Sequence, residues 1–219
     1  MKRNIAGSAV AIGAILAGCT NLGVPADFNG VRGEGPLVEE AREVAAFTAI
    51  QAGGGIHVAV SVGESQSVRL EAQENILEIL TTEVEGDTLV IGSRDSYSTS
   101  RQVTARITVE ALDGIDLSGG AIGHVDGVDA ETLRLNVSGG AELTVEGAAD
   151  DLELDDTGGA KAHLDGLQVG DAHIECSGGA TAELNVSGML HGEASGGATV
   201  RVDGDPMIDV DVSGGASLD

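Results

Sequence analysis

The chain has 219 residues, a formal net charge of −25, 34 glycines and an aromatic content of 1%. Polyanions repel nucleic acid and the anionic faces of membranes, so neither is expected as a binding surface. With so few rings to fill an ordinary globular core, the interior must be narrow and layered from Ala, Val, Leu and Ile. Abundant Gly and acid would also suit a disordered chain, but the strict alternation of apolar residues described below argues against that reading.

Lys2 and Arg3 precede an apolar run over residues 5–16. The run is shorter than the ~20 residues that span a bilayer, so residues 1–18 read as a signal peptide. Leu16-Ala17-Gly18-Cys19 resembles the lipobox of bacterial lipoproteins, with Cys19 as the lipidated N-terminus and the attachment to a membrane. Thr20, rather than Asp, follows the cysteine, which in lipoprotein sorting points to the outer membrane. Residues 19–45 carry Pro25, Pro36 and scattered charge and read as a flexible tether, in which 38–46 could form a short helix.

Residues 46–112 contain strand-like alternation without a fixed period. Ala52-Gly53-Gly54-Gly55 makes a corner before Ile56-His57-Val58-Ala59-Val60, and further alternating segments lie near residues 68–70, 88–91 and 104–109. Residues 75–80 suit one helical turn or a bulged strand. Residues 92–102 form a Ser-rich segment around Tyr97, the sole tyrosine, read as an unconstrained loop in preference to a contact point.

Residues 113–219 are regular. A tetrapeptide Ser/Thr-Gly-Gly-Ala begins at Ser118, Ser138, Thr157, Ser177, Ser195 and Ser213, at steps of 20, 19, 20, 18 and 18 residues. A constant period near 19 signifies stacked units rather than one globule. Within a unit, Leu133-Arg134-Leu135-Asn136-Val137-Ser138 alternates with period two, Gly139-Gly140 turns the chain, and Ala141-Glu142-Leu143-Thr144-Val145-Glu146 alternates again. The six glycine pairs (Gly119 and Gly120, Gly139 and Gly140, Gly158 and Gly159, Gly178 and Gly179, Gly196 and Gly197, Gly214 and Gly215) are corners needing at least one residue at positive φ, and Gly140 is taken as such a position. A βαβ unit needs a longer helical crossover. The pattern therefore predicts an all-β, right-handed parallel β-helix with rungs of about 18–20 residues.

Aligned on their alanines, the rungs give inward columns of small residues: Ala121, Ala141, Ala160, Ala180, Ala198 and Ala216, then Gly123, Leu143, Ala162, Ala182, Val200 and Leu218, then Val125, Val145, Leu164, Leu184 and Val202. Cys176 falls in a mainly apolar column and reads as a small buried hydrophobe. Two outward columns are acidic. One holds Asp126, Glu146, Asp165, Asn185 and Asp203, the other Asp116, Asn136, Asp155, Glu175, Glu193 and Asp211. Calcium could bridge Asp126, Glu146, Asp165 and Asp203 weakly, but a solvated solubilising face is the preferred reading and no cofactor is expected. His124 and His163 share a column with Thr144 between them, roughly 10 Å apart and too far to bind one zinc together. The remaining histidines read as scattered surface residues. No Ser/His/Asp set and no long loops for a polysaccharide lyase are seen, so no enzyme is expected.

Phe47-Thr48-Ala49-Ile50, Thr82-Glu83-Val84-Glu85-Gly86-Asp87-Thr88-Leu89, Val109-Glu110-Ala111-Leu112 and the Ser-Gly-Gly-Ala turns together resemble the head GIN domain, a family labelled auto-transporter adhesin. The resemblance covers roughly residues 44–219. It implies a bacterial envelope protein with a right-handed β-helix and no established activity. The function expected is a non-enzymatic envelope lipoprotein with a β-solenoid interaction module, or alternatively an adhesin for carbohydrate or matrix. The final rung stops within a strand, and this end is expected to be covered by a second copy or another envelope protein.

Overall fold

The computed structural model of the protein describes residues 29–219; the signal peptide and Cys19 lie outside the described residues. The elements are β1 (Val31–Arg32), β2 (Leu37–Arg42), β3 (Ala49–Ala52), β4 (His57–Val62), β5 (Ser67–Gln73), α1 (Glu74–Leu77), β6 (Leu80–Glu85), β7 (Thr88–Ser93), β8 (Tyr97–Ser98) and β9 (Thr104–Val109). They continue with β10 (Gly114–Leu117), β11 (Ile122–Val137), β12 (Glu142–Asp156), β13 (Lys161–Cys176), β14 (Thr181–Val186), β15 (Met189–Ala194), β16 (Thr199–Gly204), β17 (Met207–Val212) and β18 (Ser217–Leu218).

The expected parallel β-solenoid is the observed fold. One parallel ladder runs β9, β4, the first part of β11, β12 and β13, then β14, β16 and β18. The other runs β7, β3, β10, the last part of β11, β12 and β13, then β15 and β17. Strands β11 to β13 cross from one ladder to the other without a loop, through register shifts after Val125, Thr144 and Leu164. The return expected at residues 148–151 is thus part of a bulged strand, with Ala148 paired to Asp129. In the later rungs the crossing shortens to Ser187-Gly188 between β14 and β15, which accounts for the step of 18 residues.

The N-terminal end is built differently. Strand β5 runs antiparallel to β9, β2 antiparallel to β5, and β6 antiparallel to β7. Residues 37–42, read from sequence as tether or helix, are strand β2, and the helical turn expected near 75–80 is α1, which buries Ile76 and Leu77. Antiparallel strands cannot continue the coil, so they close the stack and cover its edge. Tyr97 is also held: β8 pairs with β1, and Thr99 Oγ1 donates to Gln73 Oε1 at 2.7 Å, so the segment read as an unconstrained loop is pinned to the domain.

Inside, the small-residue columns pack as a single core. Ala121, Leu143, Ala162, Val145 and Leu164 are all 1% exposed or less. Gly123 interrupts its column for a steric reason: a Cβ there would lie 2.5 Å from Leu117 Cδ1 and 2.9 Å from Leu143 Cδ1. Two leucines already fill its space.

The corners stack more closely than side chains allow. The first glycine of each pair has φ between 70° and 80°, and the second does not lie in the left-handed region. From the second pair onward, the N–H of the second glycine donates to the carbonyl of the first glycine one rung back, as Gly140 N–H does to Gly119 O at 2.7 Å. A Cβ on Gly139 would sit 3.1 Å from Gly119 N, whereas on Gly140 it would meet only Gly119 O, at 3.3 Å. The strained position is therefore Gly139, not Gly140. Gly139→Val should lower the melting temperature sharply, since the left-handed backbone alone costs a side chain about 1–2 kcal/mol. Gly140→Ala should cost less and Glu142→Thr, on the surface, nothing measurable by calorimetry.

One interior column contains an acid. Leu117, Val137, Asp156, Cys176 and Ala194 are successive partners, and Asp156 is fully buried with neither carboxylate oxygen hydrogen-bonded. Burial, and then the charge of Asp155, push its pKa from 3.8 up to about 7, against a smaller opposing effect of the Thr181 backbone N–H. That amide is already given to Ala160 O at 3.0 Å. Below neutral pH the acid thus stays protonated in the fold, whereas in the unfolded chain it ionises from about pH 4. A folded pKa above the unfolded one removes stability as pH rises from about 4 to about 7, by up to about 4 kcal/mol. Asp156→Val, which copies Val137 one rung away, should raise the melting temperature far more at pH 8 than at pH 4. A gain that does not change with pH would show that Asp156 is not protonated in the core.

Candidate functional site

Alternation puts every second residue of a strand outside, and the parallel register stacks these residues into straight columns. On the β3–β10–β15–β17 side one column reads Gln51, Asp116, Asn136, Asp155, Glu175, Glu193 and Asp211, as the rung alignment predicts. Beside it runs a second column that rung reading had not assembled: Arg134, Glu153, His173, His191 and Asp209. Its signal was present, because each member lies four residues before a Ser or Thr of the repeat. An open groove of about 650 Å³ follows this face, bordered by Gln51, Asp116, Arg134, Glu153 and His173.

Several like charges are offset within these columns. Arg134 Nε donates to Glu153 Oε2 at 2.9 Å, and Gln51 Nε2 donates to Asp116 Oδ2 at 3.2 Å. Partial burial raises the Asp116 pKa, and the Gln51 hydrogen bond lowers it by less. His173 and His191, read as scattered, are rung neighbours whose ring centroids lie 4.7 Å apart, inclined at 36°. His173 Nε2 is 3.8 Å from Glu175 Oε1, while its Nδ1 is buried without a hydrogen-bond partner.

On the opposite side the column reads His124, Thr144, His163, Glu183 and Arg201, with Thr144 separating the two histidines. His163 Nδ1 lies 2.7 Å from Glu183 Oε2, and Arg201 Nη1 donates to Glu183 Oε1 at 2.9 Å. The His163 hydrogen bond chiefly, with Arg201 adding to it, holds the Glu183 carboxyl below the usual range. These residues form an ion-paired surface chain.

The four carboxylates considered for calcium do not form one column. After Leu164 the register jumps, so Asn185 pairs with Gln168 and Asp203, and Asp165 drops out of the ladder. Asp126 and Glu146 do meet, and the third group beside them is His124, with all three ligand atoms within 4.8 Å of one another. His124 Nε2 is 3.2 Å from Asp126 Oδ1. An imidazole in the set departs from the all-oxygen shell that calcium prefers. All three residues are exposed.

Strongly shifted ionisable groups normally mark active sites. Here they face the core. Cys176 is buried beside Asp156, and burial, with the charges of Asp156 and Asp155 adding to it, pushes its thiol up to about 12. Neither side chain can meet a substrate, and a thiol so disposed is inert.

Several solved bacterial structures share this fold. A putative adhesin from Bacteroides fragilis superposes with a TM-score of 0.68 at 17% identity, covering 86% of this chain and 99% of the other. A putative adhesin from Parabacteroides merdae gives 0.57 at 17% identity, over 86% and 97% of the two chains. A protein from Parabacteroides distasonis described as a putative lipid binding protein gives 0.52 at 16% identity, over 86% and 98%. At these identities the likeness concerns the fold. No curated protein is recognisably similar in sequence. The family model described as "Putative auto-transporter adhesin, head GIN domain" matches residues 46–206, and the chain belongs to that family.

Proposed function

We propose that this protein is a non-enzymatic lipoprotein of the bacterial cell envelope whose solenoid faces bind a partner rather than transform a substrate. One observation carries the reading. The two most perturbed side chains, Asp156 and Cys176, are sealed in the core, while the outward columns include ion pairs and hydrogen bonds between neighbouring rungs. Short rungs also leave little loop length on which catalytic groups could converge. Membership of a family described as adhesin-like supports a place at the envelope or cell surface.

Attachment through a lipid on Cys19 rests on Leu16-Ala17-Gly18-Cys19, and delivery to the outer membrane on Thr20. The last rung leaves Met207 69% and Ile208 53% exposed, which supports contact there with a second copy or another envelope protein. Calcium or another dication at Asp126 and Glu146 is not required by this function.

Cys19→Ser should abolish acyl labelling and release the protein from the membrane fraction; unchanged labelling refutes the anchor. The binding role is tested by exposing the full chain to arrays of glycans and matrix proteins while monitoring products. Retention without bond cleavage supports it. Turnover of any retained glycan, or retention of nothing, overturns it.

A further inference from the structure

The groove on the ladder face is lined by several carboxylates, but a second surface hollow is not. It has a volume of about 490 Å³ and lies where the Gly54-Gly55 corner meets the segment after β8. Its lining includes His57, Tyr97, Thr99, Arg101 and Gln102, and no Asp or Glu. In a chain with 36 acidic and 11 basic residues that is a local reversal of character.

The hollow is held in shape from beneath. Tyr97 is half-buried against the core, and burial raises the pKa of its phenol, which is therefore neutral at physiological pH. Parallel pairing of β8 with β1 fixes its backbone, and Gly33 N–H donates to Ser98 O at 2.9 Å. Thr99 Oγ1 contacts Gln73 Oε1 and accepts from the Arg101 N–H at 2.9 Å, which sets the turn leading into Arg101. On the other wall His57 N–H donates to Val103 O at 2.9 Å. Arg101 itself is exposed and takes no carboxylate partner among the described residues, whereas Arg69, Arg106, Arg134 and Arg201 all do.

We propose that this hollow binds a carboxylate-bearing sugar, such as a uronic acid unit of an acidic polysaccharide. The inference rests on the binding role proposed above and assigns it a place and a ligand class. Tyr97 supplies an aromatic surface for the apolar side of a pyranose ring. Arg101 supplies a planar fork of donors matched to a carboxylate. His57, Thr99 and Gln102 offer polar groups for hydroxyls, in the mixture of apolar surface and few polar groups that small-ligand sites use. The absence of acidic residues from the lining lessens locally the repulsion that the rest of the surface imposes on an anion.

The test uses isothermal titration of the full chain in detergent, with a chelator present so that no metal bridges protein and sugar. The probes are tetragalacturonate, the neutral galactose tetramer and hexaglutamate. Tetragalacturonate should bind at least about tenfold more tightly than the neutral tetramer, the worth of a charge-assisted bidentate contact. Arg101→Ala should remove that preference, Tyr97→Phe should keep it, and Tyr97→Ala should weaken both sugars. Lys161→Gln, an exposed change outside the hollow, should alter nothing. The Arg101 comparison decides the matter even where Tyr97→Ala fails to fold, which its melting curve would show. Equal affinity for both tetramers, no effect of Arg101→Ala, or no binding of tetragalacturonate overturns the assignment. Hexaglutamate binding as tightly as the sugar would mark a plain anion site and overturn it as well. Should the array retain other glycans equally on wild type and Arg101→Ala, this site fails while the broader binding role stands.

Discussion

Everything in this molecule depends on how closely one corner can lie on the corner below it. Five successive hydrogen bonds link the second glycine of one rung to the first glycine of the rung before, at 2.5–2.7 Å. That contact crowds any Cβ on the first glycine against the backbone of the corner before it, and it fixes the lateral position of each rung on its neighbour. Once the corners coincide, the two ladders fall into register, the small interior residues stack, and each outward residue faces its counterpart one rung away. The columns on the surface follow directly from the glycines at the edge.

The same constraint explains why the most strongly shifted groups are shut away from solvent. A narrow interior made of Ala, Val and Leu gives an intruding carboxylate nothing to bond with, so Asp156 meets the core by taking up a proton. On the outside, stacking in parallel register would set like charges against each other along each column. The chain answers by placing Arg134, Gln51, His163 or Arg201 at intervals among the acids. The surface remains acidic overall, with few but well-placed cations, and one region without acid.

Much of the fold was legible in sequence because the repeat states its own geometry. Residues 113–219 could be aligned on their alanines, and the inward columns and the Asp116 column then followed without error. Two things were less legible. Register shifts at the crossings moved Asp165 out of its expected column, since residues 165–167 have no partner opposite them on β14 and the alternation breaks there, with Asp165 and Gly166 both exposed. The N-terminal end was read only as irregular strands, because the pairing of β2 with β5 joins residues far apart in sequence and no repeat announces it. Tyr97 was misread for the same cause: its anchor, Val31, lies in a segment whose composition suggested a tether.

The two ends of the stack are not equivalent, and this bears on how the protein could be shortened. At the N-terminal end, antiparallel strands and α1 form a closure used once, so its removal would expose the interior of the first rung. At the other end each rung presents nearly the same cross-section as the one before it. A stack stabilised by nearest-neighbour contacts can lose a terminal unit and leave the remainder standing. Proteolytic trimming from the C-terminal side would therefore yield a ladder of shorter, still folded species, whereas a cut within residues 37–93 would cost the whole domain its closure.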